Sequence, residues 1–123
     1  MREVRADGAP APVGPYSQAV VCGDLVFCSG QLGLDPATGA MAEGAVAQAR
    51  QALANLQAVL LAAGSSLDRA IKVTVYMTDL VHFPEVNMAY ADFFEPPFPA
   101  RTAIQVAALP KGGEVEIDVI ALR

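Results

Sequence analysis

The feature that most constrains this chain is a change of hydrophobic period. Between Glu43 and Ala63 the apolar residues Val46, Ala49, Leu53, Leu56, Leu60 and Ala63 recur at alternating spacings of three and four. That spacing gathers them into one stripe along a helix. Gly64 follows as the natural terminator, because a helix commonly ends on a residue in the left-handed region that glycine adopts freely. Only a few residues later Ile71, Val73, Val75 and Met77 alternate with Lys72, Thr74 and Tyr76, the period of a strand with one packed face. A one-sided helix beside a one-sided strand buries both faces only by layering helix on sheet.

The rest of the chain adds strands around this pair. Ala19 to Ser29 reads as two short strands about Gly23-Asp24, a hairpin-turn pairing. Asp35 to Gly39 carries the proline and glycine chemistry of an exposed loop. A shorter helix starts near Pro84, tolerated in a first turn, with Phe83, Val86, Tyr90 and Phe93 or Phe94 inward, and Pro96 and Pro97 stop it. Thr102 to Leu109 and Val115 to Leu122 read as two further strands joined through Pro110-Lys111-Gly112-Gly113. The predicted order is β-β-α-β-α-β-β, an α+β arrangement of one sheet with two helices on one face, within a single domain spanning 1–123. The opposite sheet face then needs cover, for which another subunit is the expected source.

Composition limits the function classes. Apolar residues make up 54% of 123, which points to apolar surface shared between subunits. A net charge of −5 with eight scattered Lys and Arg argues against nucleic acid as a partner, since such affinity rests on neutralising phosphates. The start lacks the apolar core of an export signal, and no apolar run approaches membrane-spanning length, so no membrane partner is expected and the cytoplasm is the expected location. Cys22 and Cys28 flank the Gly23-Asp24 turn and are placed to face each other across it. A disulfide and two reduced thiols are both open, with reduced thiols favoured in a chain without an export signal. His82 is the only histidine, which leaves no multi-histidine metal site, and the two cysteines lack the further ligands a structural zinc needs. His82 is expected to cap or precede the second helix. No phosphate-binding glycine loop or Gly-x-Ser-x-Gly elbow occurs, and Ser29 without a partner histidine is a hydrogen-bonding group.

Two places carry chemistry. Arg101 opens an apolar strand after Phe98-Pro99-Ala100, a rigid placement that suits bidentate capture of a carboxylate; pairing with a surface acid is the alternative. Glu114, Glu116 and Asp118 alternate with Val115, Ile117 and Val119, which sends the three acids to one side at spacings of roughly 7 Å. Such a row is commonly a solvated face, yet Ile120 and Leu122 continue the same side, so a carboxylate at that boundary is placed to be partly desolvated and proton-accepting. A glycosidase pair is excluded, because neighbours on one strand do not flank a sugar bond.

Gly14-Pro15-Tyr16-Ser17-Gln18, Ser29-Gly30-Gln31, Val86-Asn87, Phe98-Pro99-Ala100-Arg101, Leu109-Pro110-Lys111 and Glu114-Val115-Glu116-Ile117, in this order and spacing, together resemble the reactive intermediate deaminase (RidA, YjgF) family across nearly the whole chain. The resemblance implies a chorismate-mutase-like fold, a homotrimer, and ligand sites in clefts between subunits. It implies hydrolysis of 2-imino acids to 2-keto acids and ammonia without metal or organic cofactor. Arg101 would hold the substrate carboxylate and Glu116 the attacking water, while Tyr16, Ser29, Asn87 and Ala103 would line the cleft and Gly30 would let backbone approach the ligand. Ala103 stands where a cysteine is frequent in the family, so any thiol chemistry there is lost. The resemblance also admits a non-enzymatic sensor of keto or fatty acids, and, more weakly given the acidic balance, a ribonuclease or chaperone.

Overall fold

A computed structural model describes residues 1–123. Seven strands lie in one sheet: β1 (Arg2–Val4), β2 (Ala19–Cys22), β3 (Leu25–Cys28), β4 (Gln31–Leu32), β5 (Ala70–Met77), β6 (Ala100–Gln105) and β7 (Val115–Leu122). Two helices, α1 (Ala45–Ala62) and α2 (Phe83–Ala91), interrupt the strand order. The sheet runs β1-β2-β3-β7-β5-β6, with β4 pairing on β7. Only β5 and β6 are parallel, and α2 supplies the crossover such a pair requires. The result is the α+β layer arrangement that the change of period demands.

Helix α1 covers the sheet with the expected stripe. Ala49, Leu53, Leu56, Leu60 and Ala63 are all buried, and Val46 is partly so. Its end is a Schellman turn: Gly64 has φ 82°, its N–H donates to Leu61 O at 3.1 Å, and the Ser65 N–H donates to Leu60 O at 2.8 Å. Gln48 and Asn55 are buried on the same helix and hydrogen-bonded. Asn55 Nδ2 donates to Leu32 O at 3.2 Å and Leu34 O at 2.9 Å, and Gln48 Oε1 accepts the Glu114 N–H at 2.7 Å. These two carboxamides tie the helix to β4 and to the entrance of β7.

Several expectations are corrected. Strands β1 and β4 are absent from the predicted order because three and two residues are too few to show alternation; pairing with β2 and β7 creates them. Strand β6 begins at Ala100 and ends at Gln105 instead of running from Thr102 to Leu109. Its parallel partner β5 stops at Met77, and after the Val106 N–H donates to Met77 O at 2.8 Å the ladder has no further acceptor. Arg101 is therefore inside the strand and not at its threshold. On β5, Val73, Val75 and Met77 are buried but Ile71 is 41% exposed, because a bulge between Ala70 and Lys72 shifts the phase. Cys22 pairs with Leu25 while Cys28 pairs with Ala19. Ala19 and Cys22 have opposite parity on β2, so the two thiols point to opposite faces, and both are free. Burial, then the charge of Asp118, pushes the Cys28 thiol up to about 12, which makes it an inert core group.

The sheet face away from the helices carries Phe27 opposite Ile120 and Leu25 opposite Leu122. No helix covers it, and Phe27, Ile104 and Leu122 are each at least 40% exposed.

Candidate active site

Tyr16, Ser29, Gly30 and Glu116 line one hollow of ≈ 520 Å³, together with Leu32 and Lys111. Glu116 pairs with Tyr76 of β5 and Leu32 of β4, on the sheet face away from the helices. Burial, reinforced by the negative charge of Asp118 two residues on, raises its carboxyl above the ordinary value of 4.5. Asp118 in turn accepts the Tyr76 hydroxyl at 2.9 Å. That bond is the leading cause of a raised Tyr76, since it favours the neutral phenol. Gly30 has a reason of its own to be glycine: a Cβ there would lie 2.9 Å from Glu116 Cδ and collide with the carboxylate. The Ser29 hydroxyl donates to Ser17 O at 2.6 Å, so it ties down the segment that carries the half-exposed Tyr16.

The predicted row of three acids is a row of two. Glu114 precedes β7 and turns toward α1, where its carboxylate accepts from Gln48 Nε2 at 3.4 Å. Glu116 and Asp118 remain on the open face, leading into Ile120 and Leu122.

Arg101 belongs to a second hollow of ≈ 410 Å³, shared with Asn87, Tyr90, Ala91, Phe98 and Pro99. Its Nη1 donates to Asn87 Oδ1 at 2.6 Å, and its guanidinium lies 4.7 Å from the Tyr90 ring centre and 5.2 Å from that of Phe83. No carboxylate pairs with it: the side-chain ion pairs are Arg5–Glu3 and Arg50–Asp92. Pairing with a surface acid, the alternative open from sequence, is therefore not what occupies Arg101. Ala103 shares Arg101's face opposite Val75 but packs against the core and lines neither hollow. His82 precedes α2 without a side-chain cap bond.

The two hollows are on opposite sides of the sheet. Arg101 pairs with Val73 and Glu116 with Tyr76, and residues three apart on β5 face opposite ways. One copy of the chain thus carries the arginine and the glutamate on opposite faces of its sheet. Sequence reasoning missed Phe83 and Tyr90 as partners of Arg101, although their offsets from Asn87, four before and three after, place all three on one helical stripe. It also missed Gln18, whose buried carboxamide accepts the Ala6 N–H at 2.7 Å and donates to Pro10 O at 2.8 Å. No short motif announces that loop tie.

Fold and site together define a small α+β protein built to present an unpaired cation and a half-buried carboxylate from opposite faces of one sheet. The chain belongs to the reactive intermediate deaminase family, whose matching sequence description reads endoribonuclease L-PSP and spans residues 6–123. It is 51% identical over 118 residues to the RutC family protein y4sK of Sinorhizobium fredii, covering 95% of this chain and 94% of that one. It is 51% identical over 116 residues to the 2-iminobutanoate/2-iminopropanoate deaminase of Bos taurus, covering 94% and 85%. The crystal structure of RidA from an Antarctic Psychrobacter superposes with a TM-score of 0.97 at 48% identity, covering 100% of both chains.

Proposed function

We propose that this chain is a cofactor-independent 2-imino acid deaminase of the cytoplasm, a homotrimer of chorismate-mutase-like subunits with active sites between neighbouring copies. The observation that carries this reading is Arg101: a guanidinium on a rigid strand, braced by Asn87 and two rings, with no acid of its own. An unpaired cation so held suits a carboxylate ligand. The uncovered apolar sheet face supports assembly, and the opposite orientation of Arg101 and Glu116 fits it, because a second copy would bring the two together.

In the proposed reaction Arg101 of one copy holds the carboxylate of R–C(=NH)–COO⁻ and Glu116 of its neighbour orients a water. The water oxygen bonds to the imine carbon, the C=N π electrons move to nitrogen, and Glu116 takes the water proton and passes it to nitrogen. The carbinolamine hydroxyl then gives up its proton, which Glu116 relays to the amino nitrogen as the C=O bond forms and the C–N bond breaks, so that ammonia leaves and a 2-keto acid remains. The imine carbon is already electrophilic, so orientation and one carboxylate that relays the two water protons to nitrogen suffice. Tyr16, Ser29, Gly30 and Asn87 complete the cleft walls, while Ala103 contributes through packing.

The family description brings a ribonuclease reading with it, but eight Lys and Arg against thirteen Asp and Glu offer no track for a phosphate backbone. A coupled assay tests the deaminase reading: an amino-acid dehydratase or oxidase generates defined 2-imino acids, and their loss is timed with and without the protein. Acceleration is expected, and Arg101→Ala is expected to abolish it while the oligomer persists. An unchanged rate in that variant sinks the reading, and tight 2-ketobutyrate binding without acceleration would favour a sensor.

A further inference from the structure

We propose that Phe83 and Tyr90 are positioning residues for Arg101, which set the plane of its guanidinium so that one N–H edge is taken by Asn87 and the other is left free for a carboxylate. This rests on the 2-imino acid reading of the same site and adds to it the element that makes the arginine selective.

Phe83, Asn87 and Tyr90 are at positions i, i+4 and i+7 of α2, one stripe two turns long. The stripe faces the helix side of β6, from which Arg101 projects. The guanidinium meets ring faces at 4.7 and 5.2 Å, within the range in which a cation is drawn to an aromatic quadrupole. Both rings are themselves held. Tyr90 is only 7% exposed and packs on Phe94 with ring centres 4.5 Å apart, and Phe83 packs against the core. The Tyr90 hydroxyl is buried without a hydrogen-bond partner, so the ring, and not the hydroxyl, is what this position supplies to Arg101. The geometry separates two tasks. Asn87 takes one guanidinium donor, Nη1, whereas the ring faces lie over the guanidinium carbon and accept no hydrogen bond from the remaining donors. Charge alone would attract any anion. A guanidinium of fixed plane favours a flat carboxylate that meets it edge to edge.

The test combines a spectroscopic readout on the free protein with binding of 2-ketobutyrate by calorimetry. Arg101 side-chain protons should be displaced by ring current in the unsubstituted protein. Tyr90→Leu should remove most of that displacement and weaken 2-ketobutyrate about three- to tenfold, the span of one cation–π contact. Tyr90→Phe should restore both. Phe83→Leu, at a less buried position, is the second variant should Tyr90→Leu fail to fold, with the same two effects expected. The proposal is overturned when the displacement is absent or unaltered, when it is lost while binding is kept, or when Tyr90→Phe binds as poorly as Tyr90→Leu. Should Arg101→Ala leave 2-ketobutyrate binding intact, it is the carboxylate reading of Arg101 that fails, and the ring-current result still reports separately on the cradle.

Discussion

Glu116 shows how one carboxylate acquires a working proton affinity from its neighbours. Burial is the first cause of its raised value and Asp118 the second, with Tyr76 facing it from β5 and Lys111 and Asp35 elsewhere around the hollow. In the proposed reaction Glu116 accepts a proton, so activity falls as pH drops through its raised value. Asp118→Asn removes the second cause and leaves the first. The acid limb of the pH–rate profile should therefore move to lower pH, with activity persisting further into acid; a limb that stays or moves upward would refute the coupling. Stability runs in the opposite direction to activity. A carboxyl raised in the folded state contributes most below its unfolded value, and that contribution is lost as pH rises through the folded value. Of the candidate site, Arg101 and Glu116 are the residues that strand phase and motif single out in the sequence. The cradle around Arg101 was not, because Phe83 and Tyr90 read as core, and a core aromatic that also braces a cation has no separate sequence signature.

At the scale of elements, α1 does more than cover the sheet. Its apolar stripe was legible because periodicity alone decides it, and β7 was legible over its full length because strict alternation marks both of its ends. Strands β1 and β4 were not, since partners and not residues define them. The device that positions β4 is Asn55, fully enclosed at 1% exposure, which satisfies the carbonyls of Leu32 and Leu34 on either side of Gly33. Gly33 itself must be glycine: a Cβ would come within 2.5 Å of Gln48 Cα, so close does the helix lie on the chain there. Asn55→Ala leaves two part-buried carbonyls without that donor, a loss of up to about 1–3 kcal/mol per group left unsatisfied. Denaturant unfolding should show a lower midpoint at unchanged slope. The same variant should weaken 2-ketobutyrate, because Leu32 lines the Glu116 hollow. An unchanged midpoint would mean that water or a neighbour replaces the carboxamide.

For the molecule as a whole, the decisive fact is that Arg101 and Glu116 never meet within one copy. The parity of β5 separates them, and no side-chain motion carries either through a packed sheet. From sequence the two could be assigned to a shared cleft only by family resemblance; their opposite faces follow from the register Val73–Arg101 and Tyr76–Glu116, which no single strand's pattern contains. In the proposed reaction assembly is then part of the chemistry, which complementation tests. Arg101→Ala and Glu116→Gln should each be inactive as pure oligomers. When the two are co-expressed or refolded together, a site is intact wherever a Glu116→Gln copy supplies the arginine and an Arg101→Ala copy supplies the glutamate. Random mixing in equal amounts makes about a quarter of the sites intact, whatever the number of copies in a closed ring. Imine loss should therefore recover to about a quarter of the rate of the unsubstituted protein, and simple mixing of preformed oligomers should recover only as fast as subunits exchange. A mixed oligomer that remains inactive would show that Arg101 and Glu116 do not combine across copies and would remove the intersubunit site.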